Sequence, residues 1–501
     1  MEDSSHLSRS PRWDCGGPLP VILLLALVHG GLNTVLSPPW SLADEEQHLD
    51  YVHRLARTGA PPIAGTTLLS PEIANAVWDS HRWALFHWPS PPSAEPSTWG
   101  LEGHSYEGYQ SPLYYLLLAP LYAATPGGEL ARLYALRCAT VLLGLLTLLI
   151  VYCAARDLLP ESPVVASGAA LLLAMIPDRM LAVSRVNNDA LLEVFAALFF
   201  WIGLRAFRKG LTPWRAAELG LTFGLAVCTK ITAGTLAVGL PIVFWHARRE
   251  RWRLYAPLVT AAVASLLVVP LLVHNWHVYR DYTGFAGFNK VSFLVAPPLT
   301  LHTLRVLAED LLRNYWLVDW WPSSAVHRAL FIGLSALLAA LCLRAVVTIR
   351  LRWRFAEVGA EAVRQRAVAS LFLVSIGVSL ALGVYSYLTG HVPAFRGRFL
   401  LTVSLPIAIL VSDGLFALRS RWAWLVVPCL LSAMDAATAF GNMMPFHYGA
   451  GWATGHSALP RMFRATGGVL AALWLTSSVA ALILVYRQAD DEAALRSSPA
   501  E

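Results

Sequence analysis

"LPVILLLALVHGGLNTVLSPPWSLADEEQHLDYVHRLARTGAPP", residues 19–62, decides how this chain must fold. Its first part, up to Leu36, contains no Asp, Glu, Lys or Arg, and about 20 such residues cross a hydrocarbon layer as a helix. Directly after it, Asp44, Glu45, Glu46, His48 and Asp50 fall within seven positions. From Asp44 onward Leu49, Val52, Leu55 and Ala56 recur at helical spacing, Arg54 and Arg57 occupy the last turn, and Gly59 with Pro61 and Pro62 ends the run. The pattern predicts a short amphipathic helix at the membrane surface. Its acids lie in the first turn, where the helix dipole favours carboxylates, and His48 follows Asp44 by one turn on the same face. Ser41-x-x-Asp44 has the form of a capping box, so capping alone accounts for the acids locally. Position argues for more. A carboxylate at the hydrocarbon edge carries a desolvation cost that a cap on an exposed helix avoids, and a partly desolvated carboxylate makes a useful general base.

The rest of the chain agrees with a membrane setting. Of 501 residues, 56% are hydrophobic and only 14% charged, with a mean hydropathy of +0.52; a soluble chain carries about a quarter charged residues. The net charge of +6 is gathered in short Lys and Arg clusters between apolar runs, as positive-inside orientation requires, and leaves no nucleic-acid footprint. Six scattered cysteines without a C-x-x-C suggest neither a disulfide framework nor a zinc site. The reading is an all-α polytopic membrane protein of about twelve spans, centred near residues 28, 144, 171, 197, 222, 239, 264, 338, 377, 408, 431 and 477. Residues 216–246 are split at Lys230 into a helical hairpin, and 111–125, with Pro112 and Pro120, reads as an interfacial helix. The basic clusters at 205–215, 248–253, 350–354 and 418–422 place both termini in the cytoplasm, with a tail at 487–501. Residues 38–132, 275–326 and 441–467 then face outward. No repeat or separate soluble domain interrupts residues 1–501, a single membrane domain. Alanine- and arginine-rich composition points to a GC-rich bacterial genome and a plasma membrane.

Other outer-face groups can converge on the acidic turn. Glu107, Tyr109 and Gln110 precede a proline-bounded apolar run. Arg185, Asn187, Asn188 and Asp189 open the fourth span, Lys230 sits at the hairpin tip, and His391, Arg396 and Arg398 open the tenth. Each has a plain alternative: Asn188 or Asp189 as an N-cap, Lys230 or Arg398 as a snorkelling anchor. Together they put acids, amides and cations on one membrane face, the pattern of a site that holds an anionic head group beside a working carboxylate. The stretch 88–100, "WPSPPSAEPSTWG", reads as an exposed linker or a lid.

At these residues the chain resembles the GT-C class of polytopic glycosyltransferases, which includes the lipid-A aminoarabinose transferases and the protein O-mannosyltransferases. The likeness rests on Asp44-Glu45 after the first span, "YQSPLYYLLLAPLY" (109–122), "NNDALLEVFAALFFW" (187–201), "GLAVCTKITAGTLAVGLP" (224–241) and "GRFLLTVSLP" (397–406). The resemblance implies transfer of a sugar from a polyprenyl-phosphate donor to an acceptor on the extracytoplasmic side, by inverting displacement. Asp44 would be the base and Glu45 would assist it or help hold a divalent cation, with His48 as a further ligand of that ion. Lys230 and Arg396 or Arg398 would bind the phosphate. His48, Tyr109, Gln110, Asn188 and Asp189 would line the substrate pocket. Glu46 and Ser111 depart from the family pattern. The acceptor stays open: glycan, lipid, protein or small molecule. No Gly-rich nucleotide cradle is present, which favours a lipid-linked donor. Two other readings suit a twelve-span chain, a transporter or lipid flippase and a polymerase or ligase of lipid-linked glycans.

Overall fold

Apolar runs become helices throughout the described residues. The computed structural model describes residues 17–40, 44–85, 87, 89–246, 255–292, 295–313, 360–390, 397–418, 422–448 and 461–497, with scattered helical positions between 332 and 347. In chain order the helices are α1 (Leu19–Leu36), α2 (Glu45–Thr58), α3 (Pro71–Asp79), α4 (Arg82–Leu85), α5 (Leu113–Ala124), α6 (Glu129–Leu158), α7 (Pro163–Met175), α8 (Pro177–Val183), α9 (Asp189–Lys209), α10 (Pro213–Thr229), α11 (Gly239–His246), α12 (Tyr255–Tyr279), α13 (Phe285–Asn289), α14 (Leu301–Arg313), α15 (Ala360–Leu388), α16 (Ser404–Ala417), α17 (Ala423–Ala436), α18 (Met444–Tyr448) and α19 (Arg461–Ser497). Tight 3-10 segments at Ile231–Val238 and Gly397–Val403 precede α11 and α16. The one extended pairing among the described residues is an isolated bridge between Leu68 and His104. The protein is an all-α, multi-pass membrane protein.

Eight helices among the described residues are long and apolar enough to cross a bilayer, and the bent pair α7–α8 makes a ninth. They match nine of the twelve expected centres. The centres at 222 and 239 fall short for a physical reason. The 17 residues of α10 rise about 25 Å, and the segment after Lys230 starts as a 3-10 coil, so neither arm alone reaches the length of a full span. The centre at 338 lies largely outside the described residues. The 12 residues of α5 rise only about 18 Å, consistent with the interfacial reading of that run.

The core forms around α7, every residue of which from Val164 to Met175 is buried. It packs against α1, α6, α16, α17 and α19. Pro177 cannot continue the helix and forces Ile176 into an extended conformation, so the chain turns by 71° into α8. That turn delivers residues 184–189 to the end of α1 and the start of α2, where Thr34 Oγ1 donates to the Ser184 carbonyl (3.5 Å). Elsewhere, α10 lies almost on α12. A Cβ at Gly220 would stand 2.4 Å from the Thr260 carbonyl oxygen, so only glycine permits that approach.

A second, aromatic core supports the first loop. The Tyr51 ring of α2 stacks on Tyr115 of α5, centroids 3.8 Å apart, within a cluster that also holds Trp40, Leu49, Val186 and Leu191. Helix α2 ends as its sequence predicts, with Gly59 at φ 70°. Its surroundings differ from the expected membrane surface, because Glu45 through His53 are all buried and the polar face is enclosed rather than wet. The stretch 88–100 is likewise more than a linker: Trp99 stands edge-on to Trp83 at 4.8 Å and pins it to the loop.

Candidate active site

The site grows from the first residue of the acidic turn. Asp44 occupies the N-cap position of α2 in the left-handed region, φ 60° and ψ 35°, and its side chain makes no capping bond. Ser41, the other half of the expected capping box, is outside the described residues. The carboxylate is aimed elsewhere: Tyr106 donates to Oδ1 at 2.5 Å and Arg398 Nη1 stands 3.8 Å from Oδ2. A non-glycine residue held in this conformation stores strain, and such strain gathers at functional sites. Asp44 and Arg398 keep about a third of their side chains exposed, 30% and 32%, while their neighbours are enclosed.

Three distant segments close around this pair. Lys230 caps the end of α10 in an extended conformation and donates to Asp189 Oδ1 at 2.5 Å, at the first residue of α9. Asn188 does not act as a side-chain cap; its Nδ2 donates to Gln110 Oε1 (3.0 Å) and to the Thr229 carbonyl (3.2 Å). Gln110 Nε2 in turn donates to the Tyr109 hydroxyl at 3.0 Å. Loop residues 109–110, the start of α9 and the end of α10 are therefore stitched together through amides. Arg398 completes the set from the 3-10 segment before α16, where it lies in the fields of Asp189, Asp44 and Glu107. Asp44, Tyr109, Gln110, Asn188, Asp189, Lys230 and Arg398, scattered over more than 350 positions of sequence, stand in one neighbourhood.

Titration behaviour separates the acids. Glu107 is a residue that sequence reasoning noticed without counting it among the site groups. It is buried inside the cluster and its carboxyl is pushed up to about 7. Burial is the main cause and the Asp44 charge adds to it, against Arg398, Lys230 and a hydrogen bond with Gln110. Its Oε2 has no hydrogen-bond partner. His48 shares a 2.7 Å hydrogen bond between Nδ1 and the Tyr115 hydroxyl, and burial pulls its pKa down to about 4, so the ring is neutral at neutral pH. The Tyr106 and Tyr109 hydroxyls are driven upward by burial and by the nearby carboxylates, and remain donors. A signal for Glu107 existed in its spacing. It lies three residues before Gln110, in the one-turn 3-10 segment Tyr106–Tyr109, which places both side chains on the same side.

Two of the acids turn away. Glu45 is fully buried against Arg137, which donates Nε to Oε1 (2.8 Å) and Nη2 to Oε2 (2.5 Å), while the Val186 amide donates to Oε1 at 3.2 Å. Glu46 faces Arg82 at 2.5 Å, which also binds Glu102 at 2.6 Å; burial pushes the Glu46 carboxyl up to about 8 against the pull of Arg82. Arg396 and His391 lie outside the described residues. Asp44, Glu45 and His48 do not form a cation cage: among the described residues no three or more His, Cys, Asp or Glu side chains are placed to hold a metal ion. Glu45 is engaged by Arg137 and His48 by Tyr115, so the residues present do not fit the expected ion.

Comparison with known proteins gives the fold a context. Residues 121–274 match the family model described as dolichyl-phosphate-mannose-protein mannosyltransferase; that region holds Asn188, Asp189 and Lys230 but not Asp44, Tyr109, Gln110 or Arg398. No curated protein matches the chain. Among solved structures, ArnT from Cupriavidus metallidurans bound to undecaprenyl phosphate aligns over 94% of this chain and 77% of its own at 13% identity, with a TM-score of 0.51. An Archaeoglobus fulgidus oligosaccharyltransferase tethered to an acceptor peptide aligns over 94% of this chain and 55% of its own, at 12% identity and a TM-score of 0.49. Arabinosyltransferase EmbB from Mycobacterium smegmatis aligns over 95% and 41%, at 13% identity and a TM-score of 0.42. Through the family match at its centre and the ArnT fold around it, the chain resembles the GT-C class of polytopic membrane glycosyltransferases.

Proposed function

We propose that this protein transfers a sugar from a polyprenyl-phosphate donor to an acceptor at the extracytoplasmic face of the plasma membrane, with both termini in the cytoplasm. One observation carries the reading: Asp44, Glu107 and Asp189 meet Lys230 and Arg398 where helices end. A lipid-linked sugar has a tail that needs hydrocarbon and a phosphate that needs cations, so a site at helix ends suits it.

In the proposed reaction Asp44 takes the proton from the acceptor's nucleophilic group, whose freed electron pair forms the new bond to the anomeric carbon. The bond from that carbon to the phosphate oxygen breaks on the opposite face. Its electron pair leaves with the phosphate, which gains a negative charge, and the anomeric centre inverts. Lys230 and Arg398 neutralise that charge where it develops. Asp189 holds the Lys230 ammonium in place (2.5 Å), and Tyr109, Gln110, Asn188 and neutral His48 supply hydrogen bonds to substrate hydroxyls. Glu45 is assigned a supporting part: with Arg137 it fixes the start of α2, and hence the aim of Asp44. No step is drawn through a metal ion.

The test is purified protein in proteoliposomes with a radiolabelled sugar on polyprenyl phosphate and a crude acceptor fraction. The reading predicts label moved covalently to acceptor with release of polyprenyl phosphate. Flux of an intact substrate across the bilayer, with no bond made, would instead favour a transporter, and processive lengthening of the product would favour a glycan polymerase.

A further inference from the structure

Four buried arginines lie in or near the first loop, and their company differs. Arg82 binds Glu46 and Glu102. Arg137 uses all five of its N–H groups: Nε and Nη2 hold Glu45, and the remaining three reach the carbonyls of Thr34, Ser37 and Pro38 at 2.9–3.0 Å. Arg179 repeats the arrangement, its Nε and Nη2 edge on Glu193 at 2.8 Å each, with further bonds to the carbonyls of Leu173 and Gly144. Arg185, in the link between α8 and α9, is only 2% exposed and has neither. Its orphaned atoms are Nε and Nη2, the same edge that grips a carboxylate in the other two.

Its environment offers no hidden partner among the described residues. Two acids act on it, Asp178 and Glu45, and the Glu45 oxygens are already taken by Arg137 and the Val186 amide. Arg137 and Arg185 both lie in the field of Glu45, and only Arg137 is hydrogen-bonded to it. His447 of α18 stands beside Arg185 with its Nδ1 on the Leu85 carbonyl, and supplies no negative charge. Ser37 Oγ and Trp40 Nε1, from the segment whose carbonyls hold Arg137, are buried without partners as well. Burial pulls the Arg185 guanidinium down to about 9, with Glu45 and Asp178 opposing and Arg137 reinforcing the shift. An unpaired buried cation of this kind is expensive, and a guanidinium edge with two parallel N–H groups is matched by two oxygens of one oxyanion.

We propose that the Nε and Nη2 edge of Arg185 is a second phosphate-binding subsite, separate from the Lys230 and Arg398 pair. A phosphate fits better than a free carboxylate here because the link that carries Arg185 is tied to the end of the membrane-spanning α1 through Thr34 and the Ser184 carbonyl, and a bilayer presents its anions mainly as phosphates. The inference does not depend on the transfer reaction.

The experiment titrates polyprenyl phosphate into the full protein in phosphatidylcholine nanodiscs and counts bound molecules by native mass spectrometry, with inorganic phosphate as a parallel titrant. Wild type is expected to hold two phosphates. Arg185→Gln is expected to lose one, with at least a tenfold drop in that site's affinity, and Lys230→Gln to lose the other. Binding of inorganic phosphate that depends on Arg185 identifies a soluble source; binding of polyprenyl phosphate alone identifies a lipid one. If Lys230→Gln changes nothing while Arg185→Gln removes a phosphate, the transfer reading fails and this subsite stands. Thermal unfolding without ligand guards against misfolding: Arg185→Gln should leave Tm unchanged or higher, whereas Arg137→Gln should lower it. Unaltered phosphate binding by Arg185→Gln, or a Tm loss equal to that of Arg137→Gln, overturns the proposal.

Discussion

Asp44 is held at φ 60°, a conformation that costs a residue with a side chain on the order of 1 kcal/mol and glycine nothing. Asp44→Gly should therefore change stability by no more than about 1 kcal/mol in a thermal or denaturant melt, the relieved strain offsetting the lost hydrogen bond from Tyr106 and the lost ion pair with Arg398. Transfer activity should collapse in the same variant. A residue that serves only to start α2 predicts the reverse, a less stable protein with normal chemistry. Glu107 gives a prediction in pH. Its folded pKa, about 7, lies above the ordinary value of 4.5, so between those limits the folded state binds the extra proton and the unfolded state does not. Stability must then fall as pH rises from about 4.5 to about 7, by up to about 1.4 kcal/mol per unit. Glu107→Gln should flatten that slope in melts taken across the window; an unchanged slope would mean the carboxyl is not buried beside Asp44.

The elements explain why some residues were readable and others were not. Lys230 interrupts a long apolar stretch, and a lysine there belongs at a membrane rim, so its place at the end of α10 followed from composition alone. Asp44 and Glu45 were indistinguishable by spacing. Asp44 stands at the left-handed N-cap and Glu45 is the first helical residue, and which of the two faces the site depends on Arg137, 92 positions away in a helix that reads as an apolar span. The pairing of α2 with α6 predicts a specific cycle of substitutions. Arg137→Met should cost about 3–5 kcal/mol by leaving Glu45 buried and unpaired, and Glu45→Gln with Arg137→Met should recover much of it, as measured by unfolding. If the recovered double variant also transfers sugar, Glu45 acts by positioning; a stable but dead double variant would give it a direct part in the reaction.

Over the whole molecule, hydropathy made the membrane class and most helices legible, because about 20 apolar residues leave few alternatives in a bilayer. It did not show that a lysine and a 3-10 coil shorten the hairpin arms, since pattern does not reveal helix type. Side-chain convergence across more than 350 positions was legible only as a coincidence of polar groups at helix ends. Orientation has its own test. In a background without native cysteines, Glu72→Cys on α3, 61% exposed, should react with an impermeant thiol reagent in right-side-out vesicles. Trp214→Cys in the first turn of α10, 76% exposed in the native residue, should react only after permeabilisation. The reverse pattern would place the acidic turn on the cytoplasmic side. The most direct test of the central claim is the rate of labelled sugar transfer from polyprenyl phosphate by Asp44→Asn, which keeps shape and removes the base. A loss of about 10²–10⁴-fold with unaltered donor binding is the predicted result; transfer at the wild-type rate would contradict it.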